Sequence, residues 1–216
     1  MFQVGPFAHW IRNSLLVTGF GVLGHTGASA LAAFGFARTR FPGRDKLFVL
    51  VLATMMIPFQ VVLVPQYIMF LQFKWLDTLY PIIVPSLFGS ALYIFILRQF
   101  FRSLPLELDE AAAIDGASKL QILLRVAMPL SKPALATVAV FAFIERWNEF
   151  TTPLVFIQTS ENLTLPVGMM WFRGRFDTYF HLLMAGAVFT VTPIVLAFFF
   201  AQKQFIRGIA LTGIKG

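Results

Sequence analysis

Cysteine does not occur among the 216 residues, which excludes disulfide frameworks, thiolate metal centres and thiol nucleophiles together. Charge is scarce as well: Asp, Glu, Lys and Arg make up 12% of the chain, against 58% hydrophobic residues and a mean hydropathy of +0.77. A soluble domain of this length needs far more polar surface, so the composition is that of an integral membrane protein. Histidine is limited to positions 9, 25 and 181, and the acids form no metal-ligand cluster. No G-x-x-x-x-G-K phosphate loop is written anywhere, so neither a catalytic constellation nor a nucleotide site is encoded and the chain is not itself an enzyme. Residues 1–10 lack the basic start and apolar core of a signal peptide.

What is abundant is phenylalanine, 26 residues, which suits helix surfaces that face lipid. The formal charge of +7 and the pI near 10.1 admit a nucleic-acid partner in principle. The bases, however, sit in short loops between apolar runs, a distribution that membrane topology accounts for and nucleic acid does not.

Five apolar runs follow in order. Residues 14–37 carry no Asp, Glu, Lys or Arg and are long enough for a bilayer core of roughly 30 Å. Gly24, Ala28 and Ala32 recur there at four-residue spacing, a stripe on which another helix can approach closely, and His25 is read as a buried, hydrogen-bonded histidine. After a basic loop (Arg38, Arg40, Arg44, Lys46), residues 47–73 form a second run that Pro58 and Pro65 are expected to kink or interrupt, with Gln60 and Gln66 near the breaks. Residues 78–97 make the third. In the fourth only residues 133–144 are uncharged, about 18 Å of helix, before Glu145, Arg146, Trp147, Asn148 and Glu149. Helical spacing places Phe141, Glu145, Asn148, Glu149 and Thr152 on one face, and ionisable groups at that depth require water, pairing or a neighbouring subunit. Residues 150–180 read as external loops with a short re-entrant or interfacial piece, and residues 182–202 as the last run.

Between the third and fourth runs lies a segment too polar to span. Glu107, Asp109 and Glu110 follow Pro105 and crowd the first turn of a short helix, where negative charge suits the positive end of the helix dipole. Gly116 closes that helix in a left-handed conformation, and Ser118 with Gln121 forms a capping box opening a second one, with Leu120, Leu123, Leu124 and Ala127 on one face and Pro129 as its stop.

The phrase Glu110-Ala111-Ala112, then Gly116, then Val126-Ala127-Met128-Pro129 resembles the EAA loop of binding-protein-dependent ABC importer permeases, with Val126 and Met128 where the family favours Ile and Leu. The phrases IDGAS (114–118), MPLSKPALAT (128–137), WNEF (147–150), LPVG (165–168) and LMAGAV (183–188) are similar to the maltose-permease-like, carbohydrate-uptake branch, and the likeness runs from Asn13 to Gly216.

That resemblance implies an all-α bundle of five transmembrane helices, where the family has six, with 1–216 as one transmembrane domain lacking the first helix. It implies a cytoplasmic helix-turn-helix coupling loop over 103–132, in which Glu110, Ala111, Ala112, Asp115, Gly116 and Pro129 meet an ATPase subunit. Glu145, Asn148, Glu149 and Gln60 are the residues expected at the translocation pathway or a subunit contact. The implied partners are a second, homologous permease, two ATP-binding subunits that use ATP and Mg²⁺, an extracytoplasmic solute-binding protein and a sugar, in a bacterial cell membrane. Glycerol-phosphate and polyol permeases look similar. A stand-alone secondary transporter would need coupling acids and an internal repeat, and no repeat is found. Of the 17 bases, 12 fall on the loop side and the tail, while Arg12, Lys74, Arg146, Arg173 and Arg175 fall opposite, which puts the N-terminus outside and the C-terminus in the cytoplasm.

Overall fold

The computed structural model describes residues 5–172 and 179–212. Arg173 and Arg175, counted above as external bases, lie outside the described residues, as does the tail with Lys215. Among the described residues every regular element is helical.

Helix α1 (Phe7–Arg38) is the spine, 32 residues and roughly 48 Å long. It begins before the uncharged run because Phe7 and Trp10 are fully buried and anchor an extra two turns past Arg12. The indole N–H of Trp10 donates to the Ser160 carbonyl at 2.8 Å, and Asn13 Nδ2 donates to the Glu161 and Leu163 carbonyls at 2.8 and 3.0 Å. These bonds hold the 3₁₀ turn Ser160–Asn162 and the segment after it against the Trp10 end of the spine.

The second run is α2 (Arg44–Ala53) with a 3₁₀ turn Thr54–Met56, then α3 (Phe59–Gln72), bent by 94°. Pro58 makes the break, with Ile57 before it extended as a residue preceding proline must be. Pro65, expected to share that role, sits inside α3 and merely removes one intrahelical hydrogen bond. The third run is α4 (Tyr80–Ser86) and α5 (Ala91–Ser103), joined through Gly89 at φ +83°. This joint rests on the small-residue stripe of α1. A Cβ on Gly24 would stand 2.8 Å from the Ser86 carbonyl oxygen and from Leu87 Cδ2, and the Ser90 N–H donates to Ser29 Oγ at 3.1 Å.

Next come α6 (Glu107–Ile114), α7 (Lys119–Ile122), a π turn Leu123–Ala127, α8 (Met128–Leu130) and α9 (Lys132–Trp147). The short helices α10 (Thr151–Phe156) and α11 (Leu165–Gly168) follow, then α12 (Phe180–Thr212), which leans on α9, where the Trp147 indole donates to the Thr190 carbonyl at 2.8 Å. Among the described residues three helices are long and apolar enough to cross a bilayer, Phe7–Arg38, Tyr80–Ser103 and Phe180–Phe200. The pairs Arg44–Met56 with Phe59–Gln72 and Lys119–Leu130 with Lys132–Phe156 (86°) bring the number to five only if each bent pair is one crossing.

Two apolar clusters flank the middle of α1. Phe7, Trp10, Ile82, Trp147, Leu165 and Phe172 pack at one end; Ala33, Phe34, Leu97, Phe101, Ile122, Leu123 and Val138 pack towards the other. Beyond the second cluster the basic end is locked by Arg98, which donates to Asp45 Oδ1 at 3.2 Å and to the Phe36 carbonyl at 3.3 Å, its guanidinium 3.9 Å over the Phe48 ring. At the Trp10 end Asp77 takes the N–H groups of Gln158 and Thr159 at 3.0 and 2.7 Å and the Thr159 hydroxyl, while Asn162 Nδ2 donates to its carbonyl at 2.7 Å.

Candidate functional site: a polar pocket and an exposed elbow

The elbow stands at the Arg38 end of the spine. Glu107, Asp109 and Glu110 occupy the first turn of α6, which closes in a Schellman arrangement: the Gly116 N–H donates to the Ala113 carbonyl at 3.0 Å and the Ala117 N–H to the Ala112 carbonyl at 2.9 Å. Gly116 is at φ +83° with open space where a Cβ would be, so backbone conformation rather than crowding requires glycine. The capping box is present, Ser118 N–H donating to Gln121 Oε1 at 2.7 Å and Gln121 N–H to Ser118 Oγ at 3.3 Å.

Pro129 does not end the second helix. The chain stays helical to Leu130 through the π turn, whose wider spacing accommodates a residue that has no N–H to give, and the 86° bend falls at Ser131. The four apolar residues read as one face also divide. Leu123 and Ala127, with Ile122, are buried, whereas Leu120 and Leu124 are exposed. Glu110, Ala111 and Asp115 face out, Ile114 is 86% exposed, and Ala112 is half-buried. The elbow is tied to the spine by Arg38, whose side chain is 2% exposed: Nη2 donates to the Leu104 carbonyl at 2.6 Å, and Nε stands 3.7 Å from Asp109 Oδ2.

The pocket lies between the two apolar clusters, half-way along α1. α9 continues through Glu145 and Arg146, which are helical about 20 Å from its start, and ends at Trp147, so Glu149 lies just beyond it. Tyr93 Oη donates to Glu145 Oε2 at 2.6 Å, Arg146 Nη2 donates to Glu145 Oε1, and the same nitrogen is 3.9 Å from Glu149 Oε2. Glu149 Oε1 accepts from the Thr152 N–H at 3.1 Å and hydroxyl at 3.0 Å. Gly21 makes room for Arg146: a Cβ there would stand 2.7 Å from Arg146 Cγ. Glu145, Arg146, Glu149 and Thr152, with His25, Gln66 and Ser86, line a cavity of about 420 Å³, walled on its apolar side by Phe59, Pro81, Ile82 and Pro85.

The structure brings together only part of the expected set. Glu145 and Glu149 line the cavity. Asn148 does not: the helix ends at Trp147, and Asn148 Nδ2 turns back to the Ile144 carbonyl at 2.9 Å, so the single helical face drawn through Phe141 and Thr152 is broken there. Gln60 is exposed in the first turn of α3 and does not line the cavity, whereas Gln66 does. His25 is buried, but neither ring nitrogen has a partner in hydrogen-bond geometry; there is only a weak approach to the Gly89 backbone, and the ring stands edge-on to Tyr93 at 5.8 Å. The expected burial of His25 is thus observed, with no hydrogen bond of good geometry to its ring. Tyr93 carried no sequence signal, and Arg38 looked like one more loop cation.

A family model described as "Binding-protein-dependent transport system inner membrane component" matches residues 15–211. The chain is 32% identical over 207 residues to the arabinooligosaccharides transport system permease protein of Bacillus subtilis, covering 96% of this chain and 73% of that one. It is 32% identical over 217 residues to the maltose/maltodextrin transport system permease protein of Escherichia coli (98% and 73%). It is 35% identical over 206 residues to the sn-glycerol-3-phosphate transport system permease protein of Shigella flexneri (94% and 73%). The fold is that of a chain in the crystal structure of a bacterial ABC transporter involved in the import of the acidic polysaccharide alginate, with TM-score 0.72 and 24% identity over 97% of this chain and 76% of that one.

Proposed function

The chain belongs to the binding-protein-dependent transport system inner membrane components, and on that premise we propose that it carries a sugar across the cytoplasmic membrane of a bacterium as one of two permease subunits of an ABC importer. Its own residues supply the path and the coupling element. ATP and Mg²⁺ are used by two ATP-binding subunits, and solute arrives from an extracytoplasmic binding protein. The basic loops and the elbow face the cytoplasm, with the Trp10 end outside.

The elbow carries this reading. A helix start with three acids, Glu107, Asp109 and Glu110, stands outside the bundle next to uncovered Ile114, Leu120 and Leu124, which is a surface for another protein. Glu110, Ala111, Ala112 and Asp115 present that surface, Gly116 sets the angle between its two helices, and Pro129 with the π turn leads into the bend at Ser131. Glu145, with a side chain 47% exposed in the last turn of α9, has to face water or a second subunit, since lipid offers a carboxylate nothing. Glu145 and Glu149 line the path, while Gln60 and Asn148, on outward positions, belong to the contact with the second permease.

Glu110→Lys and Gly116→Val test the reading in vesicles containing the assembled importer. A charge-assisted contact at Glu110 is worth about 1.5–3 kcal/mol, and a β-branched residue in the left-handed conformation costs about 1–2 kcal/mol. Both variants are expected to insert normally, release or uncouple the ATPase subunits, and lose uptake. Full solute-stimulated ATP hydrolysis and uptake in both would overturn it.

A further inference from the structure

The basic end of α1 carries more positive charge than the fold engages. Arg38 holds the elbow, and Arg98 is taken up by Asp45 and the Phe36 carbonyl. Arg40 and Lys46 are exposed and have no hydrogen-bond or ion-pair partner among the described residues. With Phe41, Gly43, Arg44 and Asp45 they line an open cavity of about 420 Å³ at the turn between α1 and α2. We propose that this corner binds the headgroup of an anionic phospholipid, its phosphodiester held by Arg40 and Lys46 and its acyl chains running along the outer face of α2. Of the importer reading above, this requires only that α1 and α2 lie in a bilayer.

The lining sets three bases against one acid, and that acid is already occupied. Asp45 Oδ1 accepts from Arg44 Nε at 3.1 Å and from Arg98 Nη2 at 3.2 Å, and Oδ2 accepts from Arg44 Nη2 at 3.3 Å. Little of its charge is left for Arg40 or Lys46. Arg102, exposed one turn beyond Arg98 on α5, adds to the positive field, which is felt at both Asp45 and Arg98. Unpaired surface bases are satisfied by water and alone indicate no ligand. Here, however, they share one concavity on a short turn, with Gly43 at φ +78° and Arg44 Nη1 donating back to the Thr39 carbonyl at 3.4 Å. Such an arrangement presents several donors to one phosphate group, which guanidinium binds through two oxygens at once.

The adjoining surface selects lipid over a soluble phosphate. α2 leaves the corner with Phe48 as its one buried residue, while Leu47, Val49 and Leu50 are exposed, the last two at 63% each. An apolar face that begins directly after Lys46 places the cavity where hydrocarbon gives way to headgroups. A free phosphate would meet the bases and leave that face uncovered, whereas a diacyl lipid covers both. A zwitterionic lipid brings an ammonium group to a corner that is already positive, so the net charge of the headgroup is what is read. Each base beside an anionic bilayer surface contributes roughly fivefold in affinity, and two contribute more than tenfold.

Photolabelling in nanodiscs tests the proposal on the chain assembled with its partner subunits. Phosphatidylglycerol and phosphatidylcholine, each with a diazirine near the top of one acyl chain, are incorporated at equal mole fraction, and adducts on residues 40–50 are read by mass. Phosphatidylglycerol is expected to label this segment at least tenfold more than phosphatidylcholine. Arg40→Gln combined with Lys46→Gln should lower that labelling at least tenfold and leave adducts on the outer face of α12 unchanged, while Arg40→Lys combined with Lys46→Arg should retain it. Equal labelling by the two lipids, or labelling indifferent to the paired glutamines, overturns the site. Displacement by glycerophosphoglycerol, the same headgroup without chains, would assign the corner to a soluble phosphate. Labelling that emerges only once the ATPase subunits are stripped away would assign it to a protein contact, and either result also overturns the lipid site. Uptake and solute-stimulated ATP hydrolysis are measured separately, so a failure of the importer reading registers there and not in the labelling.

Discussion

Arg38→Met removes the guanidinium that holds the elbow to the spine and keeps most of the apolar stem. In the native chain Nη2 donates to the Leu104 carbonyl at 2.6 Å from a side chain 2% exposed, a charge-assisted bond worth about 1.5–3 kcal/mol. The contact with Asp109 is longer, 3.7 Å, and Nε lacks a hydrogen-bond partner, so that pair contributes attraction without a bond. The Asp109 side chain is 13% exposed and still reaches some water, which keeps its part below the 3–5 kcal/mol typical of breaking a buried pair. Together the loss is about 2–4 kcal/mol, or between roughly one and a half and three powers of ten in the population of the undocked elbow. Hydrogen exchange in nanodiscs reads this directly. The amides of α6 and of Gly116 and Ala117, which close its end, should exchange faster in Arg38→Met, while those of α5 and of α1 around Trp10 keep their rates. Unchanged exchange across α6 would refute the argument, and acceleration throughout the bundle would show that Arg38 serves global stability instead.

Two further outcomes follow from packing and charge. Asp77 is pushed upward by partial burial, but its bonds from the Thr159 hydroxyl and N–H, the Gln158 N–H and the Asn162 amide outweigh this and hold its carboxyl below the usual carboxylate range. Its stabilisation is therefore complete above the unfolded value of about 3.9 and is lost as pH falls through the lower folded one, so thermal melting in detergent should show an acid-dependent loss that Asp77→Ala abolishes. Gly24→Val puts a Cβ 2.8 Å from the Ser86 carbonyl oxygen, a backbone atom that cannot swing aside, and should lower stability by about 1–3 kcal/mol; an unchanged melting temperature would mean that α1 and α4 do not approach as described.

Much of the architecture was legible because its causes are local. The elbow follows from three acids at a helix start, a glycine at φ +83° and a Ser-x-x-Gln box, each acting within a few residues. The break at Pro58 is likewise a property of two adjacent residues. Pro129 was misjudged by the same local logic, since a π turn upstream relaxes the constraint that proline ordinarily imposes. The pocket was legible only in part. Glu145 and Glu149 stand out as charge in an apolar run, and Thr152 does join Glu149 on the lining, but helical spacing carried Asn148 along with them although the helix ends before it. Tyr93, Gln66 and His25 come from three other elements, and no spacing in the chain relates them.

The placement of these features along α1 bears on how the elbow and the pocket are connected. The pocket residue His25 and the elbow anchor Arg38 belong to one unbroken helix, roughly 20 Å apart along its axis, and Gly21 and Gly24 press that helix against Arg146 and the α4–α5 joint. Helices packed at glycine contacts have little freedom to slide past one another, because the opposing atoms are backbone or confined side chain. A displacement of the elbow is therefore passed to α1 through Arg38 and felt at the α4–α5 joint that walls the pocket. The π turn and the bend at Ser131 offer a second connection, from the elbow into α9 and Glu145. Of the two, the α9 route contains the bend at Ser131 and the π turn, whereas α1 is one unbroken helix.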